Sequence, residues 1–308
     1  MYFGVDVGRG YTKIAGPAIN NVINFPSYVA PARPLDIESG RGKPLEHLSV
    51  CINDKKLFMG ELARRESGSR EFQKEKANHR NTIPLLITAI ALAAKDKYIS
   101  PKLVAGLPIS DYRKQAQRFE EKTTGEYEVE LPHKKVVIQI LRKNIITFPE
   151  GAGMIWNQIL RNNGCLKNNS FSDFKLAGID IGWKTCNFAV LSGLQYEDSA
   201  SGTLPMGLAR AFRIFYKRIS RDYDYTPAQA ELMLSEKGEP ELERLAQEIT
   251  DQLSMWWPVT EDYYKIFIGG GGGGALNKYL DYPQQKKVLN PQIANAKGFY
   301  KVARSQLS

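Results

Sequence analysis

The apolar positions at the start of the chain are strand-like. Tyr2-Phe3-Gly4-Val5-Asp6-Val7 forms one run, Gly8-Arg9-Gly10 supplies a turn and Tyr11 to Ile14 returns, so the pattern predicts a β-hairpin. From Pro26 to about Arg80, short apolar runs stand among Pro, Gly and charged residues, which predicts a smaller, more variable lobe. Thr82–Ala94 reads as a helix, with Asn81 or Thr82 as its cap and Pro84 in its first turn. Leu103–Pro108 and Lys135–Leu141 read as strands, and Gly151–Leu160 as a helix opening after Pro149-Glu150. Asn162–Asp173 is polar and loop-like and marks the expected domain boundary. A strand then runs from Phe174 or Lys175 to Ile181. Met206–Trp257 is mainly helical, with a start signal at Thr226-Pro227. Lys265–Ile268 is a strand that enters six glycines, Gly269–Gly274, before a helix from Ala275. Asn290–Val302 is a helical segment led by Pro291.

One pattern occurs twice. Gly4-Val5-Asp6-Val7-Gly8 and Gly178-Ile179-Asp180-Ile181-Gly182 share Gly, β-branched, Asp, β-branched, Gly, and each is followed by a Thr, Thr12 or Thr185. The two Asp lie 174 residues apart, close to half of the chain, and each copy opens a presumptive domain. Strand alternation sets Val5 and Val7 on one face and Asp6 on the other, near the strand end. Glycine lets backbone N–H groups of the turn approach an anion closely. Two such turns facing each other would hold a phosphate chain. The carboxylates would then hold Mg²⁺ through its waters rather than touch phosphate themselves. Lys13 adds a positive charge in the first copy, where the second has Asn187. Taken singly, either copy reads as readily as an ordinary Asp-Gly turn.

Composition narrows the classes. Of 308 residues, 43% are hydrophobic and 24% charged, as in an ordinary soluble globular protein with room for one large or two ordinary domains. The most apolar stretch, Ile83–Ala94, is too short to cross a bilayer, and no secretory signal is readable ahead of Tyr2, so a cytoplasmic protein with no membrane partner is expected. Cys51, Cys165 and Cys186 have no CxxC spacing, and His47, His79 and His133 stand far apart, so neither a disulfide frame nor a metal-ligand set is expected among them. The net charge of +9 favours polyanion partners such as nucleotides, DNA or acidic proteins without selecting one.

Five separated segments together resemble the superfamily of actin, the large heat-shock chaperones and sugar kinases, and most of all the bacterial and archaeal actin-like proteins of the plasmid-segregating ParM type. Asp6-Val7-Gly8-Arg9-Gly10-Tyr11-Thr12-Lys13 looks like the first phosphate motif, and Phe148-Pro149-Glu150-Gly151-Ala152-Gly153 like the first connecting helix. Gly178–Gly182 looks like the second phosphate motif, and Ile266-Phe267-Ile268 with the glycines like the adenosine motif. Pro291–Phe299 looks like the second connecting helix.

The resemblance implies an α/β chain with a duplicated, ribonuclease H-like, actin-like fold. Mixed sheets flanked by helices would form two domains, with nucleotide in the cleft between them. Domain I would comprise residues 1–161 and 295–308, with a variable insert at about 26–80. Domain II would comprise 162–294, with a mainly helical insert at about 206–261. The implied cofactors are ATP, with GTP as the alternative, and Mg²⁺ near Asp6 and Asp180. Gly8, Arg9, Gly10, Tyr11, Thr12, Lys13, Gly182, Trp183, Lys184 and Thr185 are the expected phosphate contacts. Gly269, Gly270, Gly271 and Gly272 are the expected adenosine contacts, in a register that the strand end and Ala275 place differently. Glu150, with Asp6 and Asp180, is the expected catalytic group, set to orient the attacking water. The same carboxylate would also suit a helix dipole.

The implied activity is ATP hydrolysis coupled to filament assembly and disassembly, for plasmid or DNA segregation. The implied partners are further copies of the chain and a DNA-binding adaptor at a centromere-like site, with direct DNA binding the lesser expectation. A small-molecule kinase of the same fold and a non-filamentous nucleotide-regulated binding protein are the rivals. Gly202–Gly207 reads equally as a plain turn or as an approach to the ribose, and the aromatic and basic helix Arg210–Arg221 as a partner surface or a core stripe.

Overall fold

In a computed structural model, residues 1–35, 44–66, 68–70, 79–221 and 224–307 are described. The expected insert at 26–80 therefore lies partly outside the described residues. The chain forms two compact units. The first comprises Met1–Pro149, Leu160–Cys165 and Asn295–Ser308, and the second Glu150–Ile159 and Leu166–Ala294.

The first unit holds two sheets. In one, β1 (Tyr2–Val7) pairs antiparallel with β2 (Tyr11–Ala15), and β2 pairs with β3 (Ile23–Pro26). Its full order is β12-β9-β1-β2-β3, with β9 (Lys102–Leu107) and β12 (Ile145–Pro149) running parallel to β1. The second sheet has the order β7-β4-β6-β5-β10-β11-β8. It takes β4 (Tyr28–Pro31), β5 (Ser49–Ile52), β6 (Lys55–Met59) and β7 (Ser69–Arg70) from the early segment. It also takes β8 (Tyr98–Ile99), β10 (Gly125–Leu131) and β11 (Lys134–Ile140) from later chain, with Cys51 of β5 opposite Glu130 of β10. The early segment is thus completed by strands from well beyond it.

Helix α1 (Gly60–Arg65) packs beside β4, and α2 (Thr82–Ala93) contacts β1, β2 and β10. Leu85 to Ala91 are all buried, as expected for a helix apolar all round. Asn81 sits at the N-cap position of α2, but its side chain makes no capping bond and its Nδ2 donates to Ser69 Oγ at 3.5 Å. Helix α3 (Ile109–Thr123) is not announced by the pattern, because its exposed face is charged and its buried face mixes Ile109 and Phe119 with Gln115 and Glu120. The C-terminal helix, Ala294–Gln306, lies over β1.

The second unit is built on one sheet of order β15-β14-β13-β17-β18, with β16 added beside β14. Here β13 (Lys175–Ile181) pairs antiparallel with β14 (Cys186–Ser192) and parallel with β17 (Lys265–Gly269). The short strands are β15 (Gln195–Tyr196), β16 (Gly202–Leu204) and β18 (Gln285–Lys287). Its helices are α4 (Ala152–Ile159), α5 (Leu208–Ile219), α6 (Pro227–Lys237), α7 (Glu239–Ser254) and the short α8 (Gly273–Leu276). The Thr226-Pro227 start is a complete capping box, with Thr226 and Gln229 each bonding the other's backbone N–H. Ala177, Ile179, Ile181, Phe188 and Val190 form a core with Phe215, Leu245, Ile249 and Trp257. No described helix is long and apolar enough to cross a membrane.

Candidate functional site

The repeated pattern produces the same construction in each unit. Phe3, Val5 and Val7 enter the core of the first unit, while Gly4 and Asp6 take the opposite face of β1. A side chain at Gly4 would collide with the backbone of Ala296, Phe299 and Tyr300, so glycine lets the C-terminal helix lie directly on the strand. In the second unit Ile179 and Ile181 enter the core. A Cβ at Gly178 would meet Ile155 and Met154 of α4 and the carbonyl of Gly151. The first glycine of each copy therefore seats a helix, and the Asp two residues on stands beyond it, near the strand end.

The second glycine of each copy also plays one part twice. A Cβ at Gly8 would be 2.8 Å from the Tyr11 carbonyl, and one at Gly182 would be 3.0 Å from that of Thr185. The carbonyls of the two glycines themselves are bound back into the protein. Ser27 Oγ donates to Gly8 O at 2.6 Å and Ser27 N to Gly10 O at 3.0 Å. Leu208 N donates to Gly182 O at 3.1 Å and Ala209 N to Trp183 O at 2.8 Å. Gly182 N itself donates to Thr185 O at 2.8 Å, so its N–H closes the second turn. Thr12 Oγ1 also lies 2.9 Å from Ser27 Oγ, fully buried. Ser27 was not foreseen from the sequence, and its only signal was its place just after β3.

The acidic residues differ in their partners. Asp6, 5% exposed, faces Lys13 across β2, and Lys13 Nζ donates to Asp6 Oδ2 at 3.0 Å. Asp180, 7% exposed, faces Asn187 across β14. Asn187 turns instead to Glu150, whose Oε2 accepts from Asn187 Nδ2 at 3.0 Å. Glu150 is 7% exposed and precedes α4 across Gly151, which has φ +87°. Complete burial, and then the charge of Asp180, push the Cys186 thiol up, so it remains protonated. Beside the first turn, burial and then the charges of Arg80 and Arg9 hold His79 below the ordinary histidine value.

The glycine run divides into unlike positions. β17 ends at Gly269, opposite Asp180. Gly270 has φ +81°, and a Cβ there would strike Asp180 Oδ1 and the backbone of Ile181. Gly270 N donates to Pro291 O at 3.1 Å and Gly272 N to Ile181 O at 2.8 Å. Around Gly271 no atom of the described residues lies within 4 Å of where a Cβ would stand. The helix after the run begins at Gly273 rather than Ala275, because Ala275 N and Leu276 N already bond the Gly272 carbonyl.

Within the first unit the structure gathers Asp6, Gly8, Gly10, Thr12 and Lys13 around one turn. Within the second it gathers Glu150, Asp180, Gly182, Trp183, Gly269 and Gly270 around another, while Arg9, Tyr11, Lys184 and Thr185 occupy the two turns themselves. Each turn carries a single carboxylate at a strand end. Taken by itself, either carboxylate suits Mg²⁺, which is usually held by one or two carboxylates together with substrate phosphates and its own waters. Among the described residues, no three His, Cys, Asp or Glu gather as metal ligands.

Residues 4–153 match the family described as the N-terminal domain of actin-like proteins. No curated protein sequence matches the chain. Among solved structures, a 15-stranded ParM filament from Clostridium botulinum is 22% identical, covers 98% of both chains and superposes with a TM-score of 0.83. The pSK41 ParM protein without ligand is 17% identical over 98% of this chain and 96% of its own, with a TM-score of 0.76. An archaeal actin homolog in complex with ADP is 18% identical over 98% and 99%, with a TM-score of 0.78.

Proposed function

We propose that this chain, an actin-like protein by its fold and by its N-terminal half, is an ATPase whose bound nucleotide governs its assembly into filaments. The observation that carries the reading is the duplicated turn. Two Gly-x-Asp-x-Gly strands end in the same construction, each with a buried carboxylate and a tied-back glycine carbonyl. One such turn is commonplace, whereas two at the head of two similar units suit the two sides of one polyphosphate. That the archaeal homolog was solved with ADP supports a nucleotide as ligand, and the filament of the clostridial ParM supports self-association.

In this reading the two turns and Lys13 would take the phosphates, and Asp6 and Asp180 would hold Mg²⁺. The ion would neutralise charge on the phosphates. The Gly269–Gly272 backbone takes the adenosine. Glu150, fixed on one side by Asn187, accepts a hydrogen bond from the attacking water and orients it, because phosphoryl transfer depends on positioning and electrostatics more than on covalent help. The filament would act in DNA or plasmid partition, through a DNA-bound adaptor.

Nucleotide binding, phosphate release and light scattering with Mg-ATP and Mg-GTP test this together, with electron microscopy of the products. Glu150→Ala should lower turnover about a hundredfold or more while nucleotide binding and assembly persist. Asp6→Ala and Asp180→Ala should each weaken Mg-nucleotide binding itself. A chain that turns over nucleotide only with an added small-molecule acceptor, and never scatters light, would be a kinase instead.

A further inference from the structure

The Gly202–Gly207 segment carries a residue with a definite place. Thr203 of β16 lies opposite Asn187 of β14, and its Oγ1 donates to Asn187 Oδ1 at 2.8 Å. The other end of the same amide donates to Glu150 Oε2. Asn187 is 1% exposed, so both its amino group and its carbonyl must find their partners within the protein. The result is a chain of hydrogen bonds, Thr203 to Asn187 to Glu150, with every donor pointing towards the carboxylate.

We propose that Thr203 is a positioning residue for the hydrolytic step. It acts through Asn187 to set the direction in which Glu150 presents its carboxylate to water. The terminal torsion of an asparagine is soft and takes its setting from hydrogen bonds rather than from a rotamer well. A carboxylate only accepts, so the amide must turn its amino group to Glu150. The Thr203 hydroxyl holds the opposite end, and an amide gripped at both ends cannot swing. Without that grip the hydrogen bond from Asn187 to Glu150 loses its fixed direction, and positioning is what this chemistry depends on. This inference rests on the reading of Glu150 given above.

The test compares Thr203→Val, which keeps the shape and removes the hydroxyl, with Thr203→Ser, which keeps the hydroxyl. In Thr203→Val, kcat should fall about five- to tenfold with KM for ATP within about twofold, and Thr203→Ser should restore most of the loss. In an Asn187→Ala background, Thr203→Val should have no further effect. An activity-independent measurement on the nucleotide-free protein accompanies these: the Asn187 side-chain amide protons, observed by NMR, should shift and exchange faster with solvent in Thr203→Val but not in Thr203→Ser. An unchanged amide signal, an unchanged kcat or an undiminished effect in the Asn187→Ala background overturns the role of Thr203. If Glu150→Ala itself leaves turnover intact, the reading of Glu150 has failed instead, and the role of Thr203 falls with it.

Discussion

The two hairpins Gly4–Lys13 and Gly178–Asn187 are built alike and finished differently. In both, the first glycine admits a helix, the Asp reaches the strand end, and the second glycine's carbonyl is bound back. The difference lies at the residue facing each Asp. Lys13 neutralises Asp6 directly, whereas Asn187 leaves Asp180 and reaches Glu150. The shared parts belong to the fold. The divergent parts assign separate tasks, charge compensation in the first hairpin and orientation of a carboxylate in the second.

The largest effect should come from the shared part. Gly4→Ala drives a methyl into backbone atoms of Ala296, Phe299 and Tyr300, none of which can move without the helix. It should cost about 3 kcal/mol or more, read by chemical denaturation. Gly178→Ala meets two side chains, Ile155 and Met154, and one carbonyl at 2.9 to 3.1 Å, so the flexible Met can yield and the loss should be smaller. Equal losses would show that the two helix seats are equivalent despite their different surroundings.

The duplicated motif was legible because its meaning is local. Glycine and aspartate at fixed offsets on a strand specify face, turn and charge within a few residues. Strands β1, β2, β9, β11, β13 and β17, the helix start at Thr226-Pro227 and the apolar α2 were legible for the same reason. What escaped was non-local. The pairing of β5 with β10 joins segments some 75 residues apart, and neither segment advertises the other. Ser27 and Thr203 are small polar residues in unremarked places, and only the fold brings their hydroxyls to Gly8 and Asn187. The glycine run defeated its sequence register because identical residues carry no internal mark. What separates them is contact with Asp180, Ile181 and Pro291.

The divergent position should give the next effect. Lys13→Ala takes away the ammonium that is ion-paired with the buried Asp6, which should cost about 3 kcal/mol in the nucleotide-free protein. Asn187→Ala removes a neutral amide with one bond to a carboxylate and one to a hydroxyl, and should cost about 1–2 kcal/mol. Denaturation of both variants without nucleotide decides the order. If Lys13→Ala is nearly silent in stability yet weakens nucleotide binding, the lysine is kept for phosphate alone. The contrast between the hairpins would then be one of ligand rather than of fold.

The smallest effect on stability is also the most informative about the glycine run. Gly271 has open space around its Cβ position and, unlike Gly270, is not held at positive φ. Gly271→Ala should therefore change stability by no more than about 0.5 kcal/mol. Nothing among the described residues requires glycine there, so if the position serves only as a connection, nucleotide affinity should be equally indifferent. Under the proposed reading the space is where a ligand meets bare backbone, and one methyl group should weaken nucleotide binding several-fold with no loss of fold. Denaturation and nucleotide titration of this one variant separate the two cases. Unchanged affinity would move the adenosine contact away from Gly271, leaving Gly270 and Gly272 as fixtures of the turn around Asp180 and Ile181.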